Sequence, residues 1–169
     1  MSNDQVESLQ PSPLLGNKHS IIRELSCDDR LAIQNLNSRH FHALDALDRI
    51  LPGDPAETWA DTFHSDGIFE IQSAEGNVIF KAQGRDELIK AHRSFPDIAI
   101  TRHWISNLLI EAHPQGARSG SYIIAMNISV NPATIIRTGT YDDIVVLKGD
   151  LWLYQQKTLI LDAFSPSAE

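Results

Sequence analysis

The fold is decided by four long segments in the second half of the chain: Ile98–Glu111 (IAITRHWISNLLIE), Ala117–Val130 (ARSGSYIIAMNISV), Ile135–Leu147 (IIRTGTYDDIVVL) and Leu151–Phe164 (LWLYQQKTLILDAF). Each is rich in Ile, Val, Thr, Tyr or Trp, the residues that fit a pleated, half-buried surface, and Pro, Gly or Asn punctuates the gaps between them. The spacing predicts four consecutive antiparallel strands. Such a meander needs a second layer to cover its apolar face.

That layer lies upstream. Ser26 followed by Asp29 has the form of a capping box, and Ile33, Leu36, His40, Leu44 and Leu47 then recur at helical spacing. The pattern predicts one helix from about Asp28 to Asp48. Pro52-Gly53-Asp54-Pro55 interrupts it, and Asp54 as N-cap with Pro55 at the first helical position starts a second helix whose buried face carries Trp59 and Phe63. Ile68–Ile71 and Val78–Lys81 flank a Gly-Asn turn as a short hairpin, and Gly84-Arg85-Asp86 opens a third helix that ends before Pro96. Helices first and strands afterwards give an α+β cone: three N-terminal helices on the concave face of a curved antiparallel sheet, with a cavity between the layers.

The 169 residues, 42% of them apolar, fit a single domain. Residues 1–25 read as a polar, flexible leader and residues 26–169 as the folded unit. The net charge of −8 and the scattering of Lys and Arg argue against a nucleic-acid partner. No run reaches the length of a membrane span and Met1–Gln10 lacks the regions of a signal peptide, so a cytoplasmic protein is expected. The lone Cys27 can form no internal disulfide. Glycine-rich phosphate loops, dinucleotide fingerprints and nucleophile elbows are absent from the sequence, and no cofactor or metal is expected. His40 and His42 stand two apart on a helix, a poor spacing for shared metal ligation. His64, His92 and His113 fall near element ends, where solvated side chains are expected.

Two polar groups interrupt the apolar stripe of the first helix: His40 within it and Asp45 at its border. Each needs a partner if buried. For His40 a core histidine bonded to a carbonyl is one reading and a functional group the other. On the first long strand Thr101, His103, Ile105, Asn107 and Leu109 share one face, and Arg102, Trp104, Ser106, Leu108 and Ile110 the other. If the His103 face looks at the helices, Asp45 can fix the tautomer of the imidazole and leave it a proton acceptor. The opposite face, with Trp104 and Leu108, would be covered by another subunit in a homodimer or homotrimer.

Ala32–Leu36, His40–Asp45, Trp59, Phe63, Asp66-Gly67, Thr101–Asn107 and the Gly-Thr-Tyr segment at Thr138–Tyr141 together resemble the SnoaL-like family of the nuclear transport factor 2-like superfamily, over roughly Asp28–Phe164. Members it resembles include scytalone dehydratase, bile-acid 7-alpha-dehydratase and gamma-hexachlorocyclohexane dehydrochlorinase, which use a helix Asp and a strand His to remove a proton. Asp45 and His103 match those positions. His40 stands where two of these enzymes carry a functional Lys or Tyr. Arg137 lies near a functional Arg of the dehydrochlorinase, with Thr138 intervening. The resemblance implies a cofactor-independent lyase or isomerase of dehydratase type acting on a small hydrophobic substrate. Asp45, His103, His40 and Arg137 are the candidate catalytic residues, and Phe41, Trp59, Phe63, Asn107 and Tyr141 the candidate substrate-binding wall. The same cone also serves as the small subunit of aromatic-ring-hydroxylating dioxygenases, so an assembly module and a hydrophobic-ligand-binding protein are the alternatives.

Overall fold

The computed structural model describes residues 22–163. Residues 1–21 of the expected leader, and Phe164 at the end of the expected fourth strand, lie outside that range. Among the described residues the chain forms three α-helices and a six-stranded sheet.

Helix α1 spans Cys27–Leu44, and both halves of the Ser26/Asp29 capping box are formed. The Asp29 carboxylate also accepts from Arg23 and from the indole N–H of Trp152 at 3.1 Å, which ties the helix start to the last strand. The helix stops before the expected Asp48. Asp45 is its C-cap and Ala46 is left-handed (φ 51°), so the chain turns away where the Asp45 side chain reaches across to the sheet.

Helix α2, Pro55–Ala60, is capped by Asp54 as expected. Phe63 does not belong to it: this residue begins strand β1, Phe63–Gln72, which pairs with β2, Val78–Gln83. Six residues are too few to carry both Trp59 and Phe63 on one helical face. Helix α3 follows at Arg85–Ser94, and a short 3₁₀ turn, Ile98–Ile100, takes the place of the expected start of the next strand.

The meander is β3 (Thr101–His113), β4 (Gly116–Asn127), β5 (Thr134–Lys148) and β6 (Leu151–Leu161). The sheet order is β2-β1-β6-β5-β4-β3. All neighbours are antiparallel except β1 and β6, which run parallel, a pairing that the local pattern does not announce. Gly139, the glycine of the Gly-Thr-Tyr segment, has a packing reason. A Cβ there would sit 2.3 Å from the Ile160 carbonyl oxygen, closer than any real contact.

Three register shifts within the meander decide which of its side chains face the helices. On β3 the register shifts between Ser106 and Leu109, with Asn107 left-handed at φ 54°. His103 and Ile105 point inward before the bulge, Ile110 and Ala112 after it. The expected single face from Thr101 to Leu109 is therefore broken. Asn107 is exposed, and Leu109 (59% exposed) joins Trp104 (50%) outside in place of Leu108. The other two put an extra residue on β6, Gln155 opposite Ile144/Val145, and on β5, Ile136 opposite Ala125/Met126. Between sheet and helices Ile33, Trp59, Leu88, Val145 and Tyr154 form the fully buried centre.

Candidate active site

Asp45 leaves the end of α1 with its carboxylate pointed at β3. Its Oδ2 accepts from the His103 backbone N–H at 3.1 Å, and its Oδ1 lies 2.5 Å from His103 Nδ1. Arg102 reinforces the junction, donating from Nη1 to the Asp45 carbonyl at 3.2 Å and to its neighbour Thr101 at 2.8 Å. The Asp45 and His103 side chains are 5% and 11% exposed. A carboxylate on Nδ1 selects the Nδ1–H tautomer, so the Nε2 lone pair is the free one, and Nε2 has no protein partner among the described residues. Phe41 supports the imidazole from behind, ring centre to ring centre 5.8 Å.

His103 lines a cavity of about 320 Å³. Phe69, Phe80 and Phe95 with Ile71, Leu159 and Leu161 make its apolar walls. At the polar end Thr101, Arg137 and Tyr141 join His103. Arg137 shares the inward face of β5 with Tyr141, and its Nη2 donates to Asp97 Oδ2 at 3.0 Å. The extra residue Thr138 does not turn Arg137 outward.

The remaining expected site residues are elsewhere. His40 is 0% exposed and has both ring nitrogens engaged: Trp59 donates its indole N–H to Nε2 at 3.1 Å, and Nδ1 meets Thr62 Oγ1 at 3.0 Å. Burial, then the nearby Lys157, holds His40 well below the ordinary imidazole value of 6.5. It is a neutral core histidine and does not line the cavity, which corrects its expected catalytic role. Trp59 and Phe63 pack on that histidine, and Phe41 stands behind His103, so none of the three lines the cavity. Asn107 is turned away by the bulge. Of the five expected wall residues, only Tyr141 lines the cavity. His92 is also buried rather than solvated. Its Nε2 donates to the Ala43 carbonyl at 3.1 Å, and burial lowers its pKa.

Sequence reasoning missed a second polar pair. Lys157 Nζ binds Asp143 Oδ2 at 2.8 Å, both side chains fully buried. Asp143 was legible, because Tyr141, Asp143 and Val145 alternate onto one buried face. Lys157 was not. Trp152 and Tyr154 point inward, and the shift between Ile144 and Val145 against β6 moves the inward set to Lys157, Leu159 and Leu161. The three phenylalanines of the cavity wall were missed too, although Phe69 and Ile71 alternate on β1.

Among the described residues, no group of three or more His, Cys, Asp or Glu side chains could hold a metal ion, and no helix is long and apolar enough to cross a membrane.

A curved six-stranded sheet with helices over one face is the nuclear transport factor 2-like, or cystatin-like, architecture. The family model for the SnoaL-like domain matches residues 26–158, and the chain belongs to that family. It is similar in structure to a protein of unknown function with a cystatin-like fold from Nostoc punctiforme (25% identity, TM-score 0.68, covering 85% of this chain and 98% of that one). A candidate scytalone dehydratase from Novosphingobium aromaticivorans is similar at 24% identity and TM-score 0.59, over 80% of this chain and 85% of that one. The beta subunit of a candidate aromatic-ring-hydroxylating dioxygenase from the same organism is similar at 20% identity and TM-score 0.62, over 78% and 88%. Comparison with functionally curated proteins finds no match.

Proposed function

We propose that this chain is a cofactor-independent lyase or isomerase of dehydratase type, in which His103, oriented by Asp45, removes a proton from a small hydrophobic substrate. The observation that carries the reading is the 2.5 Å Asp45–His103 contact at the polar end of an apolar cavity. Two bonds from one carboxylate, to the ring and to the backbone of the same residue, fix the imidazole in place and keep Nε2 the acceptor. Arg137 stands in the same wall and favours negative charge as it develops on the substrate. The proton acceptor is the His103 side chain itself, so the step needs no cofactor.

Hydrogen–deuterium exchange at the acidified carbon of an enolisable ketone such as 2-tetralone, followed by NMR in D₂O, tests this without knowledge of the natural substrate. The wild-type protein should accelerate exchange, and His103→Ala should lose that acceleration, roughly 10²–10⁴-fold, with an unchanged circular dichroism spectrum. Exchange at the wild-type rate in His103→Ala would sink the reading.

The outer sheet face supports a second role beside the first. Trp104 and Ile124 are register partners there, and with Tyr122 and Ile135 they leave an exposed apolar patch. A homodimer or homotrimer that covers this face is the assembly we favour. An assembly module of the dioxygenase small-subunit kind would use the same surface for a different chain. Sedimentation of the purified protein should show an oligomer that Trp104→Glu converts to monomer; a monomeric wild type would contradict it.

A further inference from the structure

Several polar side chains reach the cavity, and most are already engaged. Thr101 Oγ1 donates to the Asp97 carbonyl at 2.8 Å, Arg137 is paired with the Asp97 carboxylate, and His103 Nδ1 is held by Asp45. Tyr141 differs. It is 3% exposed and lines the cavity, yet its hydroxyl has no hydrogen-bond partner among the described residues. The hydroxyl oxygen is not sealed in the core but opens on the cavity. A ligand oxygen in the cavity would supply the missing acceptor.

What lies behind the ring matters equally. Lys157 Nζ sits 4.1 Å from the centre of the Tyr141 ring and 4.2 Å from that of Tyr154, with Asp143 as its counter-ion. As a stability device a buried ion pair is a poor choice, since apolar side chains of similar volume serve as well or better. As an electrostatic device it has a direction. A cation against the face of a phenol draws on the ring electrons and makes the O–H hydrogen a stronger donor. Burial and the Asp143 charge hold the Tyr141 phenol above its ordinary value of 10, so it stays protonated and acts as a donor rather than a base. Tyr154, on the other side of the cation, already donates to Asn37 Oδ1 at 3.0 Å. Tyr141 is the ring with a hydroxyl to offer.

We propose that Tyr141 donates the hydrogen bond that receives the substrate oxygen on which negative charge gathers, and that Lys157 is the positioning residue that holds and polarises Tyr141. The proposal rests on the proton-abstraction reading and names its substrate class: a compound with a carbonyl adjacent to the acidified carbon. His103 Nε2 takes the proton from that carbon, and the C–H electron pair forms the new carbon–carbon double bond. The carbonyl π pair moves onto oxygen, where the Tyr141 hydrogen bond meets it without transfer of the proton. Return of the proton to another carbon completes an isomerisation; departure of a leaving group with its electron pair completes an elimination.

The test is equilibrium binding of 4-nitrophenolate, a stable aromatic oxyanion, compared with 4-nitrotoluene, which lacks the oxygen. Tyr141→Phe should weaken nitrophenolate binding roughly ten- to hundredfold and leave nitrotoluene within about twofold, the change reporting the oxygen contact rather than the cavity's shape. Lys157→Met should weaken nitrophenolate several-fold when Tyr141 is present and add nothing in the Tyr141→Phe background. Should Lys157→Met alone not fold, Lys157→Met with Asp143→Asn removes both charges and carries the same expectation. Equal nitrophenolate affinity in Tyr141→Phe, no preference of the wild type for nitrophenolate over nitrotoluene, or an undiminished Lys157 effect without the Tyr141 hydroxyl would each overturn the proposal. Binding is read without turnover, so this outcome and that of the His103→Ala exchange experiment fall independently.

Discussion

His40 and His103 are both neighbours of Phe41, and both have a ring nitrogen in a short polar contact. One has nothing left to offer and the other does. His40 is closed on both nitrogens by Trp59 and Thr62, and Thr62 in turn donates to the Trp59 carbonyl at 2.6 Å, which completes a small loop inside the core. His103 is closed on one side by a carboxylate and faces a cavity on the other. Residue type and helical or strand position do not separate a structural imidazole from a reactive one; the second nitrogen does.

The largest effect that would sharpen this contrast is on stability. His40→Ala removes a fully buried ring, leaves a cavity and strips the Trp59 indole of its acceptor, at a cost of about 3–5 kcal/mol. Urea denaturation should show it. A loss below about 1 kcal/mol would mean that His40 is not the core group described.

Asp45→Asn is the next test and reads on activity. The amide keeps the shape but no longer selects the Nδ1–H tautomer, so deuterium exchange should fall by about 10²-fold or more, less than in His103→Ala, with little change in melting temperature. Full activity in Asp45→Asn would dissolve the distinction between the two histidines.

A smaller effect follows from pH. His40 and His92 both have pKa values lowered by burial from the ordinary 6.5. The unfolded chain therefore binds protons at these positions below about pH 6.5 while the fold excludes them, so their contribution is intact above that pH and is lost as pH falls further. Melting temperature should decline between pH 6.5 and 5, and less steeply in a His40→Gln variant. A flat profile would show that the buried rings do not titrate against the fold.

Smallest is Asn107→Gly. Glycine adopts the left-handed backbone at this exposed bulge without strain, so the change in stability should stay within about 0.5 kcal/mol and exchange activity should be unaltered. A large loss of activity would return Asn107 to the site from which the bulge removes it.

The bulge also marks where sequence reading stops. Helix caps at Ser26 and Asp54, the three helices and the four-strand meander rest on local chemistry and were legible. So was the pairing of Asp45 with His103, because the resemblance matched both residues to one site and both precede the first irregularity of β3. Asn107, Lys157 and the parallel β1–β6 pairing were not. An alternating pattern predicts faces only while the register holds, and one extra residue exchanges inside for outside. Trp59 and His40 illustrate a different limit. Apolar periodicity identifies what is buried but does not tell a core packed solid from the wall of a cavity.

The parallel contact between β1 and β6 also bears on how the chain reaches this state. Phe63 of β1 meets Tyr154 of β6, so the strand that follows α2 cannot complete its hydrogen bonding until the last strand has emerged and docked. Until then the β1–β2 hairpin shows a bare edge, and the core ring cluster around His40 lacks Tyr154. Folding should be slow for a domain of this size and should finish as one late, concerted closure, with the ribosome-bound chain exposed to edge-to-edge association while β3 to β6 are being made.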